Sequence, residues 1–325
     1  MSNISSGVTL VTGAAGFIGS HLCEALLARG GRVVGVDNFD PYYDPAIKRR
    51  NLQVVSNGAP AGAFEFEELD LGADAAVAEL LAKVRPATVI HLAAKAGVRP
   101  SIADPVAWMH ANVMVTQTLL TEAHKAGVAR VVAASSSSVY GNCKVAPFRE
   151  DADVSEPISP YAASKRACEL LAFTHHHLHR QPVAMLRFFT VFGPRQRPDL
   201  AISMFMRKIH SGTPIDVFGD LGTARDYTYV ADTVAGIIAA AENVDRFGYR
   251  IWNLGHDHPV SLGEMIGAIG VTVGREAVMN RQPQRPGDVD RTWADLTRAK
   301  AELGYAPTTS FEAGLARQWQ WLQSQ

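Results

Sequence analysis

A chain of 325 residues in which 47% are hydrophobic and 19% charged has the composition of an ordinary globular protein, built as one large domain or two fused ones. Its 31 Lys and Arg residues balance 32 Asp and Glu residues, which argues against nucleic acid or an anionic membrane surface as a partner. No apolar run approaches the roughly 20 residues that span a bilayer, and residues 1–6 lack a signal-peptide pattern, so we expect a cytoplasmic protein.

The first half of the chain alternates short apolar runs with segments of helical periodicity. Strands are predicted at 8–11, 32–36, 64–68, 88–92, 130–134 and 183–189. Helices are predicted at 17–29, 74–84, 104–126 and 160–179. This alternation predicts an α/β fold with a parallel sheet that helices cover on both faces.

Beyond residue 191 this rhythm ends, and Gly and Pro become frequent. Shorter helices are predicted at 199–210, 230–243, 261–269 and 310–322. We therefore divide the chain into a first domain, 1–190, and a smaller C-terminal α/β lobe, 191–325, partly interwoven with it. No metal site is expected, because Cys23, Cys143 and Cys168 have no ligand spacing and the adjacent histidines 175–177 point in different directions around a helix.

A glycine-rich turn follows the first predicted strand and opens the first helix. It reads Gly13-Ala14-Ala15-Gly16-Phe17-Ile18-Gly19. Such glycines let a backbone approach a pyrophosphate, and the helix N-terminus offers N–H donors to it. Asp37 ends the second strand, where a carboxylate accepts hydrogen bonds from ribose hydroxyls and repels a 2′-phosphate, which favours NAD over NADP. Asp70, after the third strand, is either a contact to the adenine edge or a turn residue.

A second group of residues suggests proton transfer at the same end of the sheet. Tyr161 and Lys165 are spaced i, i+4 on a predicted helix and share one face. A nearby ammonium and an oxidised nicotinamide both stabilise a phenolate, which makes a tyrosine usable as a base. Four serines, 135–138, end the fifth strand, and ligands of parallel sheets lie beyond the carboxyl ends of strands. A serine there would orient a sugar hydroxyl.

These motifs together resemble the extended short-chain dehydrogenase/reductase family over essentially the whole chain. The resemblance rests on the glycine turn, His91-Leu92-Ala93-Ala94, the serines before Val139-Tyr140-Gly141, Tyr161-x-x-x-Lys165, Arg225-Asp226-Tyr227 and Arg285-Pro286-Gly287-Asp288. It implies a Rossmann domain with tightly bound NAD and a C-terminal lobe that binds a nucleoside diphosphate sugar, in a homodimer formed through helices 104–126 and 160–179.

The resemblance also implies roles for individual residues. Ser136 is the expected catalytic serine beside Tyr161 and Lys165, and Asn112 is expected near the nicotinamide. The other expected cofactor residues are Gly13, Ala15, Gly16, Phe17, Ile18, Gly19, Asp37, Asn38, Asp70, Leu71, Leu92, Ala93 and Ala94. The expected substrate residues are Arg99, Ser136, Ser137, Thr190, Arg197, Arg225, Arg285 and Asp288, of which Arg225 and Arg285 would neutralise the diphosphate.

The reaction follows from what stands next to the serine. Related 4,6-dehydratases carry an Asp-Glu pair there, whereas this chain has Ser137 and Ser138, so dehydration is not expected. A 4-epimerisation needs one base, one hydride acceptor and room for a 4-keto sugar to turn over. We therefore expect Tyr161 to take the C4 hydroxyl proton and NAD to act as a cofactor regenerated in each turnover.

Three stretches point to the sugar. Residues 36–44, 96–99 and 187–194 closely resemble UDP-glucuronate 4-epimerases, in which positions matching Thr190 and Arg197 hold the sugar carboxylate. Pro100 and Arg195-Gln196 depart from that pattern, and Thr292 is small where some galactose-restricted epimerases have Tyr. Epimerisation of UDP-glucose, UDP-galactose or N-acetylhexosamines, decarboxylation of UDP-glucuronate and a non-catalytic NAD sensor therefore remain as alternatives.

Overall fold

The fold centres on a seven-stranded parallel sheet. A computed structural model describes residues 7–73, 75–283 and 289–325. The strands are β1 (Val8–Thr12), β2 (Arg32–Asp37), β3 (Phe64–Glu68), β4 (Thr88–His91), β5 (Arg130–Ser136), β6 (Val183–Phe188) and β10 (Tyr249–Leu254). Their order in the sheet is β10-β6-β5-β4-β1-β2-β3. From β1 the chain adds β2 and β3 on one side and then β4, β5 and β6 on the other, so the strand order changes direction between β1 and β4. Open α/β sheets bind ligands at such a switch point.

Consecutive residues of the central strands belong to opposite faces of this sheet. Leu10 packs into one hydrophobic cluster and Val11 into the other, and Val131 and Val132 divide in the same way. This is the two-residue period of a strand, and because both faces are buried most positions of the central strands are apolar. The predicted parallel sheet with helices on both faces is confirmed, and its architecture is Rossmann-like.

Helices cover the two faces of the sheet and form most of the second lobe. They are α1 (Phe17–Ala28), α2 (Pro45–Gly58), α3 (Ala76–Val84), α4 (Val98–Ala103), α5 (Pro105–Met109), α6 (Val115–Lys125), α7 (Pro160–His179), α8 (Ala201–Ser211), α9 (Val230–Asn243), α10 (Leu262–Val273), α11 (Thr297–Leu303) and α12 (Phe311–Gln323). A π-helical turn at His110–Met114 joins α5 to α6. None of the described helices is both long and apolar enough to cross a membrane.

The described residues from 190 onward also form two small sheets. One contains β7 (Thr190–Phe192), β9 (Ala224–Tyr229) and β11 (Pro259–Ser261), and the other pairs β8 (Ile215–Phe218) with β12 (Met279–Gln282). β10 comes from the same half of the sequence but pairs with β6 in the large sheet. The division into 1–190 and 191–325 stays a prediction, and the second segment supplies one edge strand to the sheet of the first.

Candidate active site

The glycine turn after β1 leaves no room for a side chain at Gly13 or Gly19. A Cβ atom on Gly19 would come within 2.0 Å of the Gly13 carbonyl oxygen, and one on Gly13, whose φ is +71°, would lie 2.9 Å from Ala93 N. No described side chain caps the N-terminus of α1, where Gly16 is the cap residue. The first turn of α1 therefore presents N–H donors to a crevice of backbone atoms, which fits the pyrophosphate of NAD.

Asp37 is held at the end of β2 by two backbone donors. Ala15 N donates to its Oδ2 at 3.2 Å and Phe39 N donates to its Oδ1 at 2.9 Å. Burial raises the pKa of this carboxyl above its usual value, and Lys48 and the two N–H groups oppose that rise. The carboxylate lies directly beside the glycine turn, as binding of a ribose requires. Asp70 accepts a hydrogen bond from Gly72 N at 2.8 Å and thus forms a turn, which neither supports nor excludes an adenine contact.

His91, at the end of β4, is a neutral link between the end of β1 and the first turn of α6. Thr116 Oγ1 donates to the Asn112 carbonyl at 2.6 Å, so at 3.3 Å it accepts from His91 Nε2. The other ring nitrogen, Nδ1, then accepts from Thr12 Oγ1 at 2.8 Å, which itself accepts from Ala93 N. Burial and the nearby Lys165 ammonium lower the pKa of His91 to about 3. His91 therefore has a structural role and does not act as a base.

Asn112 lies in the π-helical turn and clasps the loop after β4. Its Oδ1 accepts from Lys95 N at 2.8 Å, and its Nδ2 donates to Lys95 O at 3.0 Å and to Ser164 Oγ at 3.0 Å. Asn112 thereby ties the loop that follows Leu92, Ala93 and Ala94 to helix α7. π-Turns often occur at functional sites, and this one fixes the segment expected beside the nicotinamide.

Helix α7 carries the expected base and its ammonium partner. Ser159 caps the helix, with its Oγ accepting from Ala162 N at 3.1 Å, and Pro160 occupies the first turn. Tyr161 N donates to Ser101 Oγ at 3.0 Å, and Lys165 Nζ donates to the Ala134 carbonyl of β5 at 2.8 Å. Lys165 is 5% exposed, so its charge is delivered to a defined point beside the end of β5.

A buried ion pair holds α7 against the sheet one turn beyond Lys165. Arg187 of β6 donates from Nε and Nη2 to the two carboxylate oxygens of Glu169, at 2.8 and 2.9 Å. Ser135 Oγ donates to the same carboxylate at 2.6 Å. Sequence reasoning missed Glu169 and Arg187, although the i, i+4, i+8 spacing of Tyr161, Lys165 and Glu169 on one helix face was a usable signal.

The four serines after β5 have separate partners. Ser135 faces Glu169, whereas Ser136 caps a 3₁₀ turn at Ser137–Tyr140 by accepting from Ser138 N at 3.1 Å. Ser136 Oγ also donates to Ser138 Oγ at 3.1 Å. Ser137 and Ser138 line a cavity of about 170 Å³, and Ser136 is buried next to them at 7% exposure. The catalytic role of Ser136 stays a prediction.

That cavity is lined by residues from both sides of position 191 in the sequence. From the predicted substrate residues it brings together Ser137, Thr190 and Arg225. The remaining lining is Val98, Ser138, Gly141, Phe148, Ile158, Ser159, Val289 and Thr292. Sequence reasoning missed most of these because Phe148 and Ile158 lie in an irregular segment with no motif. Arg99 is exposed on α4 next to Val98, and Arg285 and Asp288 lie outside the described residues.

The side chain of Arg197 already forms an ion pair with Asp199. Its Nε and Nη2 donate to the two oxygens of Asp199 at 3.0 and 2.8 Å, and its guanidinium carbon lies 5.0 Å from the centre of the Tyr42 ring. Burial lowers the pKa of Arg197, but Asp199, Tyr42 and Tyr161 outweigh it and leave the pKa above its ordinary value. The guanidinium therefore lies within electrostatic range of Tyr161.

Comparison with known proteins agrees with this geometry. The family model described as "NAD dependent epimerase/dehydratase family" matches residues 9–255. This chain belongs to that family. The matched residues include the glycine turn, Asp37, Tyr161 and Lys165.

Individual relatives and solved structures show which members of the family this chain is similar to. A UDP-glucuronate 4-epimerase of Thermodesulfobacterium geofontis is 39% identical and covers 97% of this chain and 96% of its own. A crystal structure of a Bacillus cereus UDP-glucuronic acid 4-epimerase with UDP-glucuronic acid and NAD is 36% identical, with a TM-score of 0.90 and coverage of 98% and 99%. A Thermotoga maritima UDP-glucose 4-epimerase with UDP-glucose is 28% identical, with a TM-score of 0.88 and the same coverage.

Proposed function

We propose that this protein is a UDP-glucuronate 4-epimerase that forms UDP-galacturonate with NAD as a bound cofactor. The observation that carries the choice of sugar is Arg197, a largely buried guanidinium within electrostatic range of Tyr161. A carboxylate at C6 would form a charge-assisted, two-point pair with such a cation, whereas the hydroxymethyl group of a neutral sugar would offer it only a weaker hydrogen bond. Similarity to the Thermodesulfobacterium and Bacillus enzymes supports the same choice.

The proposed cycle assigns each residue a proton or a position. Tyr161 takes the proton of the C4 hydroxyl and later returns it, while Lys165, anchored on Ala134 O, stabilises the phenolate. NAD, when bound, supplies the hydride acceptor for oxidation at C4 and the donor for reduction. Ser136 orients the C4 hydroxyl, and Arg225 holds the diphosphate so that the sugar can turn about its diphosphate link.

The oxidised sugar places a further demand on the site. A 4-keto glucuronate is a β-keto acid, and it loses CO2 when the bond to its carboxyl carbon lines up with the carbonyl π system. Thr190 and Arg197 are proposed to hold the carboxylate and thereby prevent this alignment. The same site with a loose clamp would act as a decarboxylase.

Epimerisation of a neutral UDP-sugar is the second candidate. It is supported by the similarity to the Thermotoga UDP-glucose 4-epimerase and by Thr292, whose small side chain lines the cavity. This candidate requires no role for Arg197. The two functions therefore differ in how they depend on one residue.

The test is turnover of purified protein followed by NMR with UDP-glucuronate and, separately, with UDP-glucose. We expect UDP-galacturonate from the acid and slow or absent reaction of the neutral sugar. Tyr161→Phe removes the proton acceptor and should lower kcat by at least 10²-fold with NAD still bound. Tyr249→Phe, which removes a phenol that donates to Glu169 O elsewhere on α7, is the matched control. Conversion of UDP-glucose alone, or full activity of Tyr161→Phe, would refute the proposal.

We further propose a homodimer formed through α5 and α7. These helices pack against each other, and apolar side chains on them and their neighbours are exposed: Ile102, Val106, Met109, Met114, Leu170, Phe173 and Leu178. Exposed apolar patches of this kind are typical of interfaces.

The three cysteines are all free thiols, which supports the reducing cytoplasm as the proposed location.

A further inference from the structure

Asp199 takes one particular edge of the Arg197 guanidinium. The bonds from Nε and Nη2, 3.0 and 2.8 Å long, form a side-on pair with both carboxylate oxygens. A guanidinium has five N–H groups in one plane, and this pair uses only the Nε–Nη2 edge. The Nη1 edge is the one that remains for a ligand. The side chain of Arg197 is 16% exposed and that of Asp199 is 43% exposed, so Asp199 approaches from the solvent side.

Tyr42 takes the face of the same guanidinium, and its own position is fixed. Tyr42 N donates to Asp40 Oδ1 at 2.9 Å, while Lys95 Nζ donates to Asp40 Oδ2 at 2.8 Å. Beyond the guanidinium contact of 5.0 Å, the Tyr42 ring meets the Trp108 ring edge-on, with centroids 6.1 Å apart. The loop between β2 and α2 is thereby tied to the loop after β4, and its aromatic ring is held over Arg197.

A guanidinium fixed on one edge and one face has a defined remaining direction. An arginine side chain otherwise loses rotamer freedom when it is ordered by a ligand. Prior ordering by the protein removes that cost from binding and raises the precision of the contact. Thr190 lines the cavity together with Ser137 and Arg225, so the direction of the Nη1 edge decides whether a sugar carboxylate in that cavity can also be bound by Arg197.

We propose that Asp199 and Tyr42 are positioning residues that orient Arg197 toward the carboxylate of an acidic sugar and so determine substrate specificity. This inference rests on the proposed UDP-glucuronate 4-epimerase function. It assigns the selection of the acid to an Arg-x-Asp pair and an aromatic ring, not to Arg197 alone. In the alternative role, Asp199 competes with the substrate for Arg197, neutralises its charge and weakens its attraction for the substrate.

The two roles predict opposite effects of Asp199→Asn. Dissociation constants of UDP-glucuronate, UDP-glucose and UDP are measured by calorimetry in the Tyr161→Phe background, where turnover is expected to be at least 10²-fold slower. Orientation predicts that UDP-glucuronate binds about tenfold more weakly, a loss of about 1.4 kcal/mol, with UDP unchanged. Tyr42→Ala should act in the same way, and Tyr42→Phe, which keeps the ring face, should restore binding.

The chain provides a matched control for the loss of an Arg-x-Asp pair. Arg149 donates from Nε and Nη2 to Asp151 at 3.0 and 3.1 Å, in the same side-on geometry, and both side chains are more than half exposed. Asp151→Asn removes this pair away from Arg197 and should leave all three dissociation constants unchanged. Its effect measures what the loss of one surface carboxylate does by itself.

A second readout follows the oxidised sugar in the otherwise wild-type enzyme. When the carboxylate is held loosely, the C5–C6 bond breaks, its electron pair moves into the C4 carbonyl, C5 takes up a proton and CO2 leaves. The decarboxylated product is UDP-4-ketopentose, which leaves the cofactor reduced, or UDP-pentose when the hydride is returned to C4. The proportion of these two products to UDP-galacturonate should therefore rise in Asp199→Asn and not in Asp151→Asn. A merely structural part for Asp199 would lower total turnover without changing this proportion.

The outcomes separate the two proposals. Tighter binding of UDP-glucuronate by Asp199→Asn, or equal weakening of UDP and UDP-glucuronate, would overturn the positioning role while wild-type epimerisation of the acid still stands. Failure of the wild-type protein to bind or convert UDP-glucuronate would instead overturn the proposed function and this inference with it. Selective weakening of the acid, restored by Tyr42→Phe relative to Tyr42→Ala, supports the inference.

Discussion

Glu169 takes no part in the proposed chemistry, yet Ser135, Arg166 and Arg187 all donate to its carboxylate. Glu169 is 0% exposed and Arg187 is 1% exposed. A buried pair of this kind is not required to stabilise a fold relative to apolar residues, but removing one partner leaves an uncompensated charge. The pair fixes α7, and therefore Tyr161 and Lys165, relative to β5 and β6.

We predict that Glu169→Gln lowers the free energy of unfolding by about 3–5 kcal/mol, because Arg187 loses its buried counter-charge. Urea denaturation followed by circular dichroism measures this change. Glu122→Gln is the matched control, since Glu122 pairs with an exposed Lys125 on the surface of α6 and should change stability by less than about 1 kcal/mol. An equal decrease in the free energy of unfolding for the two variants would contradict the prediction that breaking the buried pair costs more than breaking the exposed one.

At this scale the sequence predicts residues whose chemistry depends on local spacing. Tyr161 and Lys165 lie four residues apart on one helix, and Gly13 and Gly19 lie in one turn, so a short window contains the pattern. Glu169 and Arg187 are 18 residues apart, on a helix and a strand, and only the fold brings them together. Tyr42 and Arg197 meet across the cleft for the same reason.

The exposed apolar face of α5 and α7 yields a prediction about single elements. Leu170→Glu places a charge on α7 at a side chain that is 52% exposed in one chain. If two copies pack through these helices, the buried charge opposes association, and sedimentation should show a shift from dimer to monomer. Val271→Glu on α10, at an apolar side chain that is 85% exposed, should leave the oligomeric state unchanged. A wild-type monomer, or a dimer unaffected by Leu170→Glu, would contradict the proposal.

Helices and strands with a clear periodicity are predicted closely, and polar ones are missed. The predicted helices 160–179 and 230–243 match α7 and α9, and the predicted strand 64–68 matches β3. Helix α2 is missed because only Lys48, Asn51 and Val55 are buried along it, so no apolar stripe exists. Its start was detectable, since Asp44 accepts from Ala46 N and is followed by Pro45, a common pair at a helix start.

The whole molecule shows what periodicity cannot supply. β10 joins the large sheet beside β6 after more than 60 intervening residues (Leu254 pairs with Phe188), and nothing in its own six residues names that partner. The fold class follows from alternation, whereas the substrate cavity follows from this long-range interweaving, which brings Ser137, Thr190 and Arg225 together. Prediction from the sequence therefore ends where sites depend on both halves of the chain.

Stability of the whole molecule should depend on pH through its buried histidines. Burial, with the charge of Lys165, lowers the pKa of His91 to about 3, and burial also lowers the pKa of His21 and of His175. An unfolded histidine titrates near pH 6.5. Between these pH values the unfolded chain binds a proton at His91 that the folded chain does not. The contribution of His91 to the free energy of unfolding is therefore fully present above pH 6.5 and falls as the pH decreases.

We predict that His91 alone contributes a slope of up to about 1.4 kcal/mol per pH unit to the free energy of unfolding between pH 6 and pH 4. Urea denaturation at a series of pH values measures the slope, and His91→Gln should reduce it by that amount whatever its effect on stability at pH 8. His177→Gln, at an exposed histidine of α7, should leave the slope unchanged. An identical slope for wild type and His91→Gln would mean that His91 is protonated in the folded protein, and the hydrogen-bond chain from Thr12 to Asn112 would then have to be rearranged, because both ring nitrogens would be donors.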